Sequence, residues 1–119
     1  MRKVLIVSLA LLTVFLVSCG NTGNGIAGST NLDAFAECLA ENGATMYGAE
    51  WCSHCKDQKA MFGSSFKNVD YVECTVEQQK CVESGISGYP SWVFSDGTIL
   101  AGVQQFSTLA KKTGCVLNW

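Results

Sequence analysis

Residues 31–119 are predicted to form an α/β sandwich with a small mixed sheet. Three observations predict it. Apolar residues recur at helical spacing in stretches separated by short β-prone runs, so the order reads helix, strand, helix, strand, short helix, strand, strand, helix. An Asp-Gly pair lies between the last two strand-like runs, a strong hairpin signal. The chain has 119 residues, 48% of them hydrophobic, enough for one domain around one modest core.

Leu32, Phe35, Ala36 and Leu39 fall at i, i+3, i+4 and i+7. With Thr30 or Asn31 as N-cap, Asp33 in the first turn and Gly43 past the end, they predict the first helix. Residues 44–49 (ATMYGA) are short and apolar between Gly43 and Gly48, a buried strand that delivers the chain to Trp51 and Cys52. From Cys52 the pattern is helical again. Cys55, Phe62 and Phe66, with Met61 beside them, share one side and leave Lys56, Asp57, Lys59 and Ser64 for water, while Gly63 weakens or bends this helix. Residues 69–74 (VDYVEC) alternate as a strand, and 78–84 form a short helix stopped by Gly85. Residues 91–94 and 99–102 flank Ser95-Asp96-Gly97-Thr98 as a hairpin. A last helix over 107–113, with Phe106, Leu109 and Ala110 on one side, ends at Gly114. Cys52 is thereby predicted at the end of a strand and the start of a helix, where ligand and catalytic groups gather in open α/β sheets.

Residues 1–18 pose a different physical problem. Arg2 and Lys3 precede a mostly apolar run over 4–17, shorter than the roughly 20 residues a spanning helix needs. The tetrapeptide Leu16-Val17-Ser18-Cys19 resembles the lipobox of bacterial lipoproteins, which implies a signal peptide over 1–18 and lipidation of Cys19. An ordinary secretory signal or an uncleaved short anchor would export the domain equally. Residues 20–30 (GNTGNGIAGST) carry four glycines and no charge, so 19–30 read as an anchor and flexible tether reaching about 18 Å. Without Arg2 and Lys3 the remainder holds six basic and ten acidic side chains. There is no basic run, and nucleic acid is not an expected partner.

Six cysteines follow Cys19, and an even number in an exported domain points to disulfides, with 15 possible connectivities. Cys52 and Cys55 form a Cys-x-x-Cys pair that encloses His54, the only histidine. At a helix N-terminus the Cys52 sulfur would lie near unpaired N–H groups that favour a thiolate, and His54 could add a positive charge or a donor. Cys55, one turn deeper, would be the resolving thiol. Such a pair carries two electrons itself and needs no other cofactor. Zinc shared with Cys74 and Cys81 is a rival, though Cys-x6-Cys departs from the usual spacing. A c-type haem would need histidine where Lys56 stands. A purely structural Cys52–Cys55 staple also remains open. Cys74 and Cys81 suit a local disulfide or a second redox relay; Cys38 and Cys115 pair only by elimination, or are buried thiols. Trp51 beside the nucleophile is expected to offer an apolar face to substrate, whereas Trp92 and Phe94 read as core or groove wall.

AEWCSHCK followed by Gly88-Tyr89-Pro90 resembles thioredoxin-fold proteins over nearly all of 31–119. More narrowly, residues 35–63, the Cys74 and Cys81 pair and GYPSWVF are similar to the thioredoxin-like domain fused to bacterial homologues of vitamin K epoxide reductase. The resemblance implies a thiol–disulfide oxidoreductase, and the lipobox-like tetrapeptide would place it at the bacterial cell envelope, held to the membrane by its lipid. Its partners would be exported cysteine-containing proteins and a membrane quinone-linked enzyme that reoxidises it. It also implies a cis bond before Pro90, a Tyr89-Pro90 groove for extended substrate, and, from histidine in the third place of the motif, an oxidant or isomerase. Two departures follow. The leading strand of full thioredoxins is expected to be missing, and Met46 stands where that family carries a buried carboxylate, leaving Glu50 or water as stand-in. A different class, a disulfide-stapled lipoprotein that binds a partner without chemistry, fits the same cysteines.

Overall fold

The computed structural model describes residues 31–118; residues 1–30, on which the expected signal peptide, lipidated Cys19 and tether fall, and Trp119 lie outside the described residues. The elements are α1 (Asn31–Glu41), β1 (Thr45–Gly48), α2 (Ser53–Phe62), a 3₁₀ segment (Gly63–Asn68), β2 (Asp70–Glu73), α3 (Gln78–Glu83), β3 (Ser91–Val93), β4 (Ile99–Ala101) and α4 (Phe106–Thr113). Among the described residues one sheet of four strands runs in the order β2-β1-β3-β4. β1 pairs parallel with β2 and antiparallel with β3, and β3 antiparallel with β4. This is the mixed α/β architecture that the segment order predicts.

Register decides which side chains share a face. Tyr71, Met46, Trp92 and Leu100 lie in one row across the four strands, and Val72, Tyr47, Ser91 and Ala101 in the next. Successive residues of a strand point to opposite faces, so these rows belong to opposite sides of the sheet. Met46 and Trp92 join Phe35, Leu39, Phe62 and Leu109 in the main core. Val72 meets Cys74 and Cys81 in a smaller cluster flanked by Tyr47 and Ile86. Phe62 is the hub of the aromatic packing, 4.7 Å from Phe106 and 6.1 Å from both Phe66 and Trp92 between ring centroids.

The second helix is shorter than its apolar stripe predicts. Gly63 takes φ of 55° and its N–H reaches back to the Ala60 and Lys59 carbonyls, which closes α2 and hands Phe66 to the 3₁₀ segment. The hairpin turn sits where Asp96-Gly97 places it: the Phe94 N–H donates to the Thr98 carbonyl at 3.0 Å, and the Lys112 ammonium ties α4 to the Asp96 carboxylate at 2.6 Å. Among the described residues two disulfides are present, Cys38–Cys115 and Cys74–Cys81. No helix among the described residues is long and apolar enough to cross a membrane.

Gln58, which the sequence left unassigned, is wholly buried on α2. Its Oε1 accepts from the Trp92 indole N–H at 3.1 Å and from the Gln104 N–H at 2.7 Å, and its amide donates to the Gln104 carbonyl at 3.1 Å. One side chain thus fixes helix, sheet and the β4–α4 connection. A Gln58→Leu variant would leave the buried Trp92 indole N–H and the part-buried Gln104 N–H without that acceptor; its unfolding free energy in a urea titration is expected to fall by about 2 kcal/mol.

Candidate active site

β1 leaves the sheet at Gly48, and the turn over Ala49, Glu50 and Trp51 is closed by the Cys52 N–H donating to the Ala49 carbonyl at 3.0 Å. Cys52 is the N-cap of α2, with φ −78° and ψ 116°. Its sulfur accepts the Cys55 N–H at 3.2 Å, the place that a serine or aspartate oxygen takes at most helix starts. The sulfur therefore lies against the first-turn N–H groups, at the positive end of the helix dipole. Cys52 and Cys55 are both free thiols. Cys55 has no exposed surface; burial, then hydrogen bonding with Cys52, pushes its thiol up to about 11.

Cys52 itself is only 6% exposed, a tighter setting than a freely open nucleophile. It lines an open groove of about 590 Å³, with His54 on its own side and Gly88 and Tyr89 opposite. Trp51, 69% exposed, packs edge-on to Tyr89 with centroids 5.8 Å apart and forms the apolar rim. The Tyr89–Pro90 bond is cis, and Pro90 is fully buried. His54 is 74% exposed at the groove edge, with Nδ1 3.8 Å from Asp57 Oδ2. Asp57 is a partner that the sequence offered only as a solvent-facing residue.

Behind Cys55 the structure adds Tyr71 and Glu73, which sequence reasoning missed, to Met46 and Glu50, which it named. Met46 is fully buried on β1, and its register neighbour on β2 is Tyr71. The Tyr71 hydroxyl donates to Glu73 Oε2 at 2.6 Å. Glu73 Oε1 accepts from the Glu50 N–H at 3.1 Å, from the Thr75 N–H at 3.2 Å and from the Thr75 hydroxyl at 2.9 Å. Glu50 thus contributes its backbone to this cluster while the residue is exposed. Burial raises the Tyr71 phenol above its ordinary value and the bond to Glu73 adds to that. Burial pushes the Glu73 carboxyl up as well, but its hydrogen bonds from Tyr71 and Thr75 outweigh it and hold the group below the usual range. Lys59 Nζ stands 4.0 Å from the Tyr71 ring centroid. The readable signal was the i, i+2 spacing of Tyr71 and Glu73 in an alternating strand.

Cys74 and Cys81 are bonded to one another, so neither supplies a thiolate to a metal shared with Cys52 and Cys55. Trp92 and Phe94 are buried in the core. No protein-family profile matches the chain. Over 94 aligned residues the chain is 40% identical to the thiol-disulfide oxidoreductase LTO1 of Arabidopsis thaliana. The match takes in 71% of this chain and 25% of that protein, so the chain spans about a quarter of the curated relative's length. That likeness, together with the disulfides, supports a thiol–disulfide redox function in general terms.

Proposed function

We propose that the chain is a thiol–disulfide oxidoreductase that acts through Cys52 and Cys55 on exported cysteine-containing proteins. One observation carries this reading: the Cys52 sulfur caps α2 in a groove rimmed by Trp51 and Tyr89, with Cys55 buried one turn behind. The groove suits an extended segment whose apolar side chains rest on Trp51 while its sulfur reaches Cys52.

As an oxidant, the Cys52–Cys55 disulfide is attacked at Cys52 by a substrate thiolate. Cys55 leaves with the electron pair, and a second substrate thiolate then displaces Cys52, so the substrate gains a disulfide and the pair is left as dithiol. Recharging runs the same chemistry in reverse: the Cys52 thiolate attacks a partner's disulfide, and Cys55 releases the partner. His54 lines the same groove as Cys52, and its role in this reading is to support the charge that develops on the reacting sulfur. The oxidising direction fits histidine in the third place of the motif. A lipid on Cys19 would hold residues 31–119 on a short tether at the bacterial cell envelope, within reach of a membrane quinone-linked enzyme that recharges the pair.

Cys55→Ser tests the reading. A mixed disulfide through Cys52 should accumulate with a cystine-containing substrate, visible by non-reducing electrophoresis and mass spectrometry. If Cys52 can be alkylated yet captures no partner, the site is a scaffold. A reduction potential above about −200 mV would mark an oxidant, and one near −270 mV a reductant.

A further inference from the structure

The exchange reaction leaves one part of the site unused. Tyr71 and Glu73 sit at i and i+2 on β2, in register with Met46 and Gly48 on β1, so the four share one face of the sheet. Glycine at 48 opens the way from that face to the buried thiol. A Cβ there would stand 3.0 Å from the Tyr71 hydroxyl and 3.1 Å from the Cys55 sulfur, so hydroxyl and sulfur face one point that any larger residue would fill. The Tyr71 proton is already donated to Glu73, which leaves the phenol oxygen's lone pairs as acceptors. Glu73 is half-buried and can exchange a proton with water. The titratable groups around Cys55 are Cys52 at the N-cap of α2, Lys59 on α2, and Tyr71 with Glu73 on β2; β1 adds Met46 and Gly48, and the turn after it the Ala49 backbone.

We propose that Tyr71 and Glu73 are the proton path of the resolving step. This rests on Cys52 and Cys55 being the exchanging pair. In the mixed disulfide, the Cys55 S–H proton passes to the Tyr71 oxygen as the Tyr71 proton passes to Glu73. The Cys55 sulfur bonds to the Cys52 sulfur, the bond from Cys52 to the partner's sulfur breaks, and the partner departs as a thiolate with the electron pair. Cys52 and Cys55 end oxidised and the partner reduced, and Glu73 returns its proton to water. Because burial favours the Cys55 thiol over its thiolate, the step needs such an acceptor. The path replaces the carboxylate absent at Met46 with one displaced by a strand.

Tyr71→Phe removes the hydroxyl and keeps the ring against Phe66, 5.4 Å away. The reduced full chain is mixed with oxidised glutathione as probe, quenched with acid and weighed by mass spectrometry between pH 6 and 10. Decay of the Cys52 mixed disulfide is expected to slow about tenfold or more at pH 7 in Tyr71→Phe, and the deficit to close toward pH 10, where solvent base removes the proton. Cys52 alkylation should keep its wild-type rate. Glu73→Gln, with the same readout, decides the matter should Tyr71→Phe not fold. Wild-type decay at every pH in the folded variant overturns the path, as does a pH-independent loss accompanied by slower Cys52 alkylation. A wild-type chain that forms no mixed disulfide at Cys52 overturns the exchange reading as well.

Discussion

A Cys52→Ser variant should lose disulfide exchange by roughly three orders of magnitude or more, yet unfold within about 0.5 kcal/mol of the wild type. The two expectations come from two duties of one atom. As N-cap, the Cys52 sulfur accepts the Cys55 N–H at 3.2 Å, and a serine oxygen is a preferred acceptor in that place. As the proposed nucleophile, the sulfur would have to ionise and form a bond to sulfur, which a hydroxyl does not do. Cys52→Ala removes both duties and should be less stable than Cys52→Ser by about 1 kcal/mol. Exchange with a cystine peptide, measured beside urea titrations of the two variants, separates the duties. Retained exchange in Cys52→Ser would move the chemistry elsewhere; equal instability of both variants would discard the cap.

The architecture was legible because its signals are local. The period of Leu32, Phe35, Ala36 and Leu39, the Asp96-Gly97 turn and the glycines that close the helices each act through neighbouring backbone. Gly63 marks the limit of that reasoning. A glycine can bend a helix or end it, and the choice here follows from the chain turning to place Phe66 beside Phe62. The front of the candidate site could be named from sequence, since Trp51, Cys52, His54, Tyr89 and Pro90 lie in recognisable motifs, and the structure gathers them at or beside one groove. The back could not. Gln58 lies in phase with Cys55 and Phe62, but a polar side chain gave no reason to place it in the core, and only the Trp92 and Gln104 donors explain its burial. Tyr71 and Glu73 could be placed on a common face, but the parallel register that sets that face beside Gly48 and Cys55 is a long-range fact.

Removing the disulfide that ties α1 to the segment after α4 should produce the largest loss of stability. A Cys38→Ser, Cys115→Ser double variant is expected to unfold with about 4 kcal/mol less free energy than the wild type. The bond joins residues 77 apart in sequence, so it encloses nearly the whole described domain, α1 at one end and the segment after α4 at the other. In the chain-entropy account, the cost of leaving such a loop open falls on the unfolded state and grows with the logarithm of its length. Cys74 and Cys81 are 7 apart, and the same account gives their double serine variant a loss of about 2 kcal/mol. Native contacts sharpen the contrast: Asn42 donates to the Cys38 carbonyl at 2.8 Å and lies 3.6 Å from the Cys115 sulfur, so the larger variant also disturbs the end of α1. Urea titrations of both double variants under non-reducing conditions give the two losses directly. Exchange through Cys52 should survive in each folded variant; if turnover stops without Cys74 and Cys81 while stability changes little, that pair relays electrons and is more than a staple.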